Sequence, residues 1–179
     1  MNLTPIDIFK DRKIEKLAKK LYLSAFPKEE RLPWWILRLN ARRQGVDLTA
    51  YMRGDEFCGF TASVTVEGMH FLLFFAITEH LRGQGIGSAV LSQLQEEYSS
   101  VVLNVELLLP DAPNLQQREN RIAFYKRNGF YDTGYHIWEI GGEFLVLCTD
   151  AVPDIPKYKR IFRKFSLGFW DVRIEKADS

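Results

Sequence analysis

The sequence of 179 residues has little cysteine: Cys58 and Cys148 are too few for a disulfide framework or a four-thiolate zinc site. Neither stands near a base or a resolving cysteine in the sequence, so both read as small buried apolar residues. No excess of charge exists either, with 24 Lys and Arg against 23 Asp and Glu. That balance excludes a disordered acidic chain, and no nucleic-acid partner is expected. Long apolar runs are missing; the longest, Phe71 to Ile77, is far short of a membrane span. Met1 to Lys10 lacks the charged-then-apolar layout of a leader, so a cytoplasmic protein without a membrane partner is expected. Repeats and Gly/Ser linkers are absent too. The expectation is one domain over 1–179, with 151–179 as a C-terminal extension packed on it. What is present is apolar bulk: 46% hydrophobic and 13% aromatic residues, enough for a core and a lined pocket.

Periodicity supplies the elements. Ile14, Leu17, Ala18, Leu21 and Ala25 recur at helical spacing over Asp11–Phe26, and Pro33 opens a second helical stretch to about Arg43, ended by Gly45. Asp47–Arg53 and Phe57–Val66 flank Gly54-Asp55 as a hairpin. His70–Thr78 is apolar throughout, which predicts a central strand covered on both faces. A helix over Gly85–Tyr98 and a strand over Val101–Leu109 complete a parallel βαβ unit. After a polar loop, a helix ends at Asn128-Gly129, and Phe130–Ile140 with Glu143–Asp150 flank Gly141-Gly142 as a closing hairpin. The remainder from Ala151 is helix or irregular. The fold class is α/β: a mixed, mainly antiparallel sheet, a central βαβ unit and helices on both faces.

Between the apolar strand and its helix stands Arg82-Gly83-Gln84-Gly85-Ile86-Gly87-Ser88. Alternating glycines let a ligand approach the main chain, and the helix start offers free N–H groups and a positive dipole end. Arg82 adds a charge, so the stretch suits a phosphate or pyrophosphate; a tight turn without a ligand is the other reading. A P-loop is excluded, because Ser88-Ala89 follows Gly87 where Lys and Ser or Thr are needed. The dinucleotide fingerprint is met only in part, its last glycine position being Ser88.

Arg82 to Gly87 matches (Gln/Arg)-x-x-Gly-x-(Gly/Ala) throughout, and Tyr125-Lys126-Arg127-Asn128-Gly129-Phe130 ends a helix about 40 residues later. In this ordered pair the sequence resembles the GNAT superfamily of acetyl-CoA-dependent N-acetyltransferases, over roughly residues 1–150. The resemblance implies acetyl-CoA as co-substrate, no metal, and a small-molecule or peptide amine as acceptor; dimers are common in the superfamily. It implies that amides of Gly83 to Ser88, with Gln84, Gly85, Ile86 and Gly87 between them, hold the pyrophosphate. It implies pairing of the main chain at Phe75, Ala76 and Ile77 with the pantetheine arm, and Tyr125 as the acid that protonates the departing thiolate. A packing role for Tyr125 is the alternative.

The pattern is broken twice. Arg118 occupies the place of an asparagine seven residues before the tyrosine, with Asn120 turned elsewhere on the helix; Arg118 and Arg121 read mainly as solvated charges. Phe71, with His70 beside it, occupies the place of the usual strand glutamate, leaving the base open between Glu106, standing among apolar residues, His70, Glu79 and water. On the acceptor side, Glu30 offers a charge for a cationic amine and Trp34 a wall, although first-turn charge and core packing explain them equally. His136 and Trp138 stand on the late strand. The basic run Lys157–Phe165 reads as an amphipathic helix with Ile161, Phe162 and Phe165 inward. Direct transfer follows from the poor nucleophile context of both cysteines. The alternative from another class is a non-catalytic coenzyme-A-binding sensor or partner domain.

Overall fold

The computed structural model describes residues 1–139, 142–166 and 172–177. These form a mixed α/β fold of eight strands, mostly antiparallel, and five helices. The chain falls into two compact units, one of Met1–Thr65 with Leu72–Glu97, the other of Val66–Phe71 with the chain from Tyr98 onward.

In the first unit, β1 (Thr4–Asp7), β2 (Val46–Arg53) and β3 (Glu56–Val66) form an antiparallel ladder. β1 was not anticipated; it is four residues long and carries Pro5, as suits a sheet edge. Helix α1 (Arg12–Ala25) starts where the Asp11 carboxylate accepts the amides of Lys13 (2.7 Å) and Ile14 (3.3 Å). It buries Ile14, Ala18, Leu21 and Tyr22, so the apolar stripe takes in Tyr22 and leaves Leu17 partly exposed. Helix α2 (Trp34–Asn40) is shorter than expected, because Asn40 turns its amide back to the carbonyl of Ile36 (3.1 Å) and the chain unwinds into turns. Helix α3 (Ile86–Glu97) packs Val90 and Leu91 inward, and Gln93 donates to the carbonyl of Leu3 (3.0 Å).

In the second unit, Met69–Phe71 of β4 (Met69–Ile77) pair in parallel with Ser100–Val102 of β5 (Ser100–Glu106). β5 pairs antiparallel with β7 (Gly142–Cys148), which pairs with β6 (Tyr131–Glu139). The expected closing hairpin is therefore present in its strands, while Ile140 and Gly141 of its turn lie outside the described residues. β8 (Arg173–Lys176) adds to the edge of β6, correcting the reading of the C-terminal segment as helix or irregular. The expected strand to Leu109 ends at Glu106. Arg118 takes the Leu107 carbonyl (2.8 Å), the pairing with β7 stops at Phe144, and Leu108 and Leu109 are exposed. Helix α4 (Leu115–Arg127) follows, then α5 (Ile155–Phe165), whose buried face is Tyr158, Ile161 and Phe162, with Phe165 only half-buried. Tyr158 and Phe162 close on Phe71, with ring centroids 5.7 and 5.1 Å away. Both cysteines are fully buried, and burial pushes both thiols up.

One close approach fixes the end of β4. A Cβ on Gly59 of β3 would lie 2.3 Å from the Ala76 carbonyl oxygen and 2.9 Å from Ile77 Cδ1. Gly59→Ala should therefore force the two strands apart and destabilise the fold by about 1–3 kcal/mol. Urea unfolding measures this, and an unchanged midpoint would contradict the contact.

Candidate functional site

The strand that leads into the glycine turn is buried on one side only at its far end: Phe74 and Ala76 are buried, whereas Leu73, Phe75 and Ile77 are half-buried. The expectation of full cover on both faces thus fails there, because β4 resumes the alternation of a one-sided strand. Beyond it the chain turns once over Glu79–Leu81, with Leu81 and Ile86 buried as anchors on either side of an exposed turn. Gly83 (φ +76°) and Gly85 (φ +79°) are both left-handed, and a Cβ on either would meet nothing within 4 Å. Glycine is required here by backbone conformation and not by packing. The amide of Ala89 makes the first helical bond, to the Gly85 carbonyl (3.0 Å). The amides before it, Ile86 to Ser88, have no carbonyl one turn back and sit at the positive end of the α3 dipole. Arg82 Nε donates to the Ile77 carbonyl (3.2 Å) and Gln84 Nε2 to the His80 carbonyl (3.0 Å). Arg82, itself exposed, is thereby fastened to the strand end. This donor set fits the pyrophosphate of coenzyme A. Among the main-chain groups of Phe75, Ala76 and Ile77, the Ile77 carbonyl already accepts one bond.

Glu106 and Tyr125 belong to the second unit. Glu106 closes β5, and its carboxylate receives Asn114 Nδ2 (3.2 Å), Arg118 Nη2 (3.3 Å) and, closer still, Arg121 Nη1. Arg118 also holds the Asn114 side chain (2.8 Å), so both arginines, read from sequence as mainly solvated, are tied to one half-buried carboxylate. Asn120 is exposed and accepts from Gln116 (3.4 Å). Tyr125 lies one helical turn beyond Arg121, packed edge-on to Phe124 and Phe130 with centroids 5.3 and 5.5 Å away. Burial pushes its phenol up to about 12, against the opposing charge of Arg121. Its hydroxyl makes no hydrogen bond among the described residues.

The expected acceptor residues Glu30 and Trp34 are half-buried in the first unit. Trp34 donates its indole N–H to Glu15 (3.2 Å) and packs against Phe9 and Tyr22, while Tyr22 donates to the Leu32 carbonyl (3.0 Å). In the second unit, His136 Nδ1 lies 2.6 Å from Glu143, and the Arg173 guanidinium stacks 4.5 Å over Trp138. His70 is buried against Tyr98, centroids 4.0 Å apart, and desolvation lowers it to about 4, so it is neutral at pH 7.

One polar group escaped the sequence reading. Asn104 of β5 donates Nδ2 to Glu139 Oε1 (2.8 Å) at the end of β6, and the fully buried Tyr158 of α5 donates its hydroxyl to Asn104 Oδ1. Desolvation raises the Glu139 carboxyl to about 7, opposed by the Asn104 bond. The sequence held a signal in Asn104, a polar residue inside the apolar run Val101–Val105.

The acetyltransferase (GNAT) domain profile matches residues 40–132. No curated protein matches the sequence. Among solved structures, a protein assigned to the GNAT acetyltransferase family from Bacteroides thetaiotaomicron is similar over 95% of this chain and 100% of its own, at 23% identity and TM-score 0.73. An aminoglycoside 6'-N-acetyltransferase complexed with coenzyme A is similar over 86% of this chain and 98% of its own, at 16% identity and TM-score 0.67. Arabidopsis thaliana Naa50, in complex with the bisubstrate analogue CoA-Ac-MVNAL, is similar over 83% and 98%, at 20% identity and TM-score 0.59. At these identities the structures speak for the fold. Because the profile covers more than half of the sequence and takes in both the glycine turn and the tyrosine-bearing helix, the chain belongs to the acetyltransferase (GNAT) family.

Proposed function

We propose that this chain is an N-acetyltransferase that moves the acetyl group of acetyl-CoA directly to an amine, of a small molecule or a peptide. The observation that carries the reading is the exposed turn in which Gly83 and Gly85 are left-handed and deliver the chain into the open amides of α3. Those amides and Arg82 receive the pyrophosphate. Direct transfer is supported by both thiols being buried and raised, which leaves no cysteine fit for an acyl-enzyme.

Tyr125 serves as the acid. A phenol near 12 is a weaker acid than an ordinary thiol in water, by roughly three units against a thiol reference near 8.5. The same dry surroundings penalise a naked thiolate, so the difference that governs transfer is smaller than the value for the free phenol implies. Tyr125 is protonated across the working range and contributes no alkaline fall in rate below about pH 11. The second reading, a coenzyme-A-binding sensor, is favoured by one observation: Glu106 is saturated by two arginines and an asparagine, a poor state for a base.

Thiol release from acetyl-CoA, followed over a panel of primary amines, tests the proposal. Turnover with at least one amine is expected; saturable binding with none would favour the sensor. Gly85→Val, strained at a left-handed φ, should abolish acetyl-CoA binding while circular dichroism stays that of the wild type. Tyr125→Phe should lower kcat about 100-fold or more with acetyl-CoA affinity kept, and an unchanged kcat would remove Tyr125 from the chemistry.

A further inference from the structure

Among the described residues, several carboxylates are held by a guanidinium, and Glu139 is held otherwise. Glu15 has Arg38, Glu56 has Arg53, Glu106 has Arg118 and Arg121, and Glu175 has Arg173. Glu139 is half-buried, yet its recorded partner is a neutral amide, Asn104, and no salt bridge to it is found among the described residues. Burying a carboxylate without a cation is costly, and such groups are ordinarily paired. Ionised, the Glu139 carboxylate would accept a cation from outside the described residues, and an ammonium group has the matching charge and donors.

The surroundings are arranged for that. Tyr158 donates to Asn104 Oδ1, which fixes the amide so that Nδ2 faces Glu139 Oε1. Oε1 accepts this bond whether or not the carboxyl is protonated, so proton exchange falls to Oε2. The groups around the carboxyl are Asn104 from β5, Tyr158 from α5 and, opposite on β7, Gly142 without a side chain. Tyr158 is pushed well above its usual value, mainly by burial, and stays a neutral donor. Asn104 stands two residues before Glu106 on β5, and Glu106 bonds Arg121, one turn before Tyr125. The amide that holds Glu139 thus shares β5 with Glu106, whose cluster adjoins the proposed acid.

We propose that Glu139 binds the ammonium group of the acceptor and takes its proton, with Asn104 and Tyr158 as positioning residues. The inference rests on the acetyl-transfer reading and names the base that reading lacks. Glu139 Oε2 accepts one proton from the ammonium and later releases it to water. The freed amine forms the C–N bond at the thioester carbonyl carbon, and the C–S bond breaks. Tyr125 protonates the departing thiolate and regains a proton from the new amide nitrogen. The balance is an ammonium and a thioester giving an amide, a thiol and one proton. A carboxyl near 7 in the free protein suits a base working at neutral pH.

The test is the pH dependence of kcat/KM for the amine, in wild type, Glu139→Gln, Glu139→Asp and Tyr158→Phe, with acetyl-CoA affinity as the check on folding. Wild type should rise about tenfold per pH unit below about 7 and then level, since only the ionised carboxylate accepts a proton. Glu139→Gln keeps the acceptor for Asn104 but should lose about 100-fold and the whole pH limb. Glu139→Asp should restore the limb in part, which a merely structural glutamate would not do. Tyr158→Phe should move the limb upward, because an unfastened Asn104 stabilises the anion less. A Glu139→Gln protein with wild-type kcat/KM and an intact limb would overturn the proposal alone. A wild type that binds acetyl-CoA and acetylates no amine would overturn the acetyl-transfer reading together with it.

Discussion

A helix cannot satisfy its own first amides, and the exposed turn before α3 is shaped by that constraint. The chain leaves β4, turns once and enters the helix within a few residues, which two left-handed glycines make sterically allowed. Any residue with a Cβ at Gly83 or Gly85 would carry a backbone penalty without a packing contact in return. The buried anchors on either side, Leu81 and Ile86, fix the direction in which the amides point. Arg82 is held by the strand it follows, so its charge is delivered with little freedom left to lose. The anion site needs no surplus of charge in a chain whose net charge is +1.

The second unit obeys a different economy, in which polar groups are held inside and must be satisfied. Glu106 is held by the two guanidinium groups and the amide that surround it. Glu139 is destabilised as an anion, titrating near 7 against 4.5 for a free glutamate. A carboxyl raised on folding stabilises the fold fully below about pH 4.5, and that contribution is lost as pH rises to about 7. The difference of 2.5 units corresponds to about 3 kcal/mol, a sizeable part of a domain's net stability.

The turn and α4 were legible in sequence because their information is local: glycine spacing, the apolar run before it, and tyrosine before Asn128-Gly129. The hairpin about Gly54-Asp55 was legible for the same reason, and the ladder of β2 with β3 places Arg53 opposite Glu56. β1 and β8 were not legible, since four-residue edge strands with a proline or alternating charges carry no periodic signal. Glu139 was hidden more deeply. Its state depends on Asn104 and Tyr158, 35 and 19 positions away in the chain, and no motif links residues whose only relation is contact in the folded unit. The pairing of Arg118 and Arg121 with Glu106 was missed likewise, because helix charges look alike in sequence whether they face water or a carboxylate.

Helix α5 wears a basic outer face with Tyr158 beneath it. Its two faces are therefore open to change at very different rates. The lysines and arginines toward water can be exchanged for other polar residues at small cost, whereas Tyr158 is fixed by the hydroxyl it donates to Asn104 and by its ring, packed on Phe71. A stretch that by composition passes for a solvated appendage is thus half scaffold. Pieces of such a tail exchanged between kindred proteins would carry interior chemistry with them.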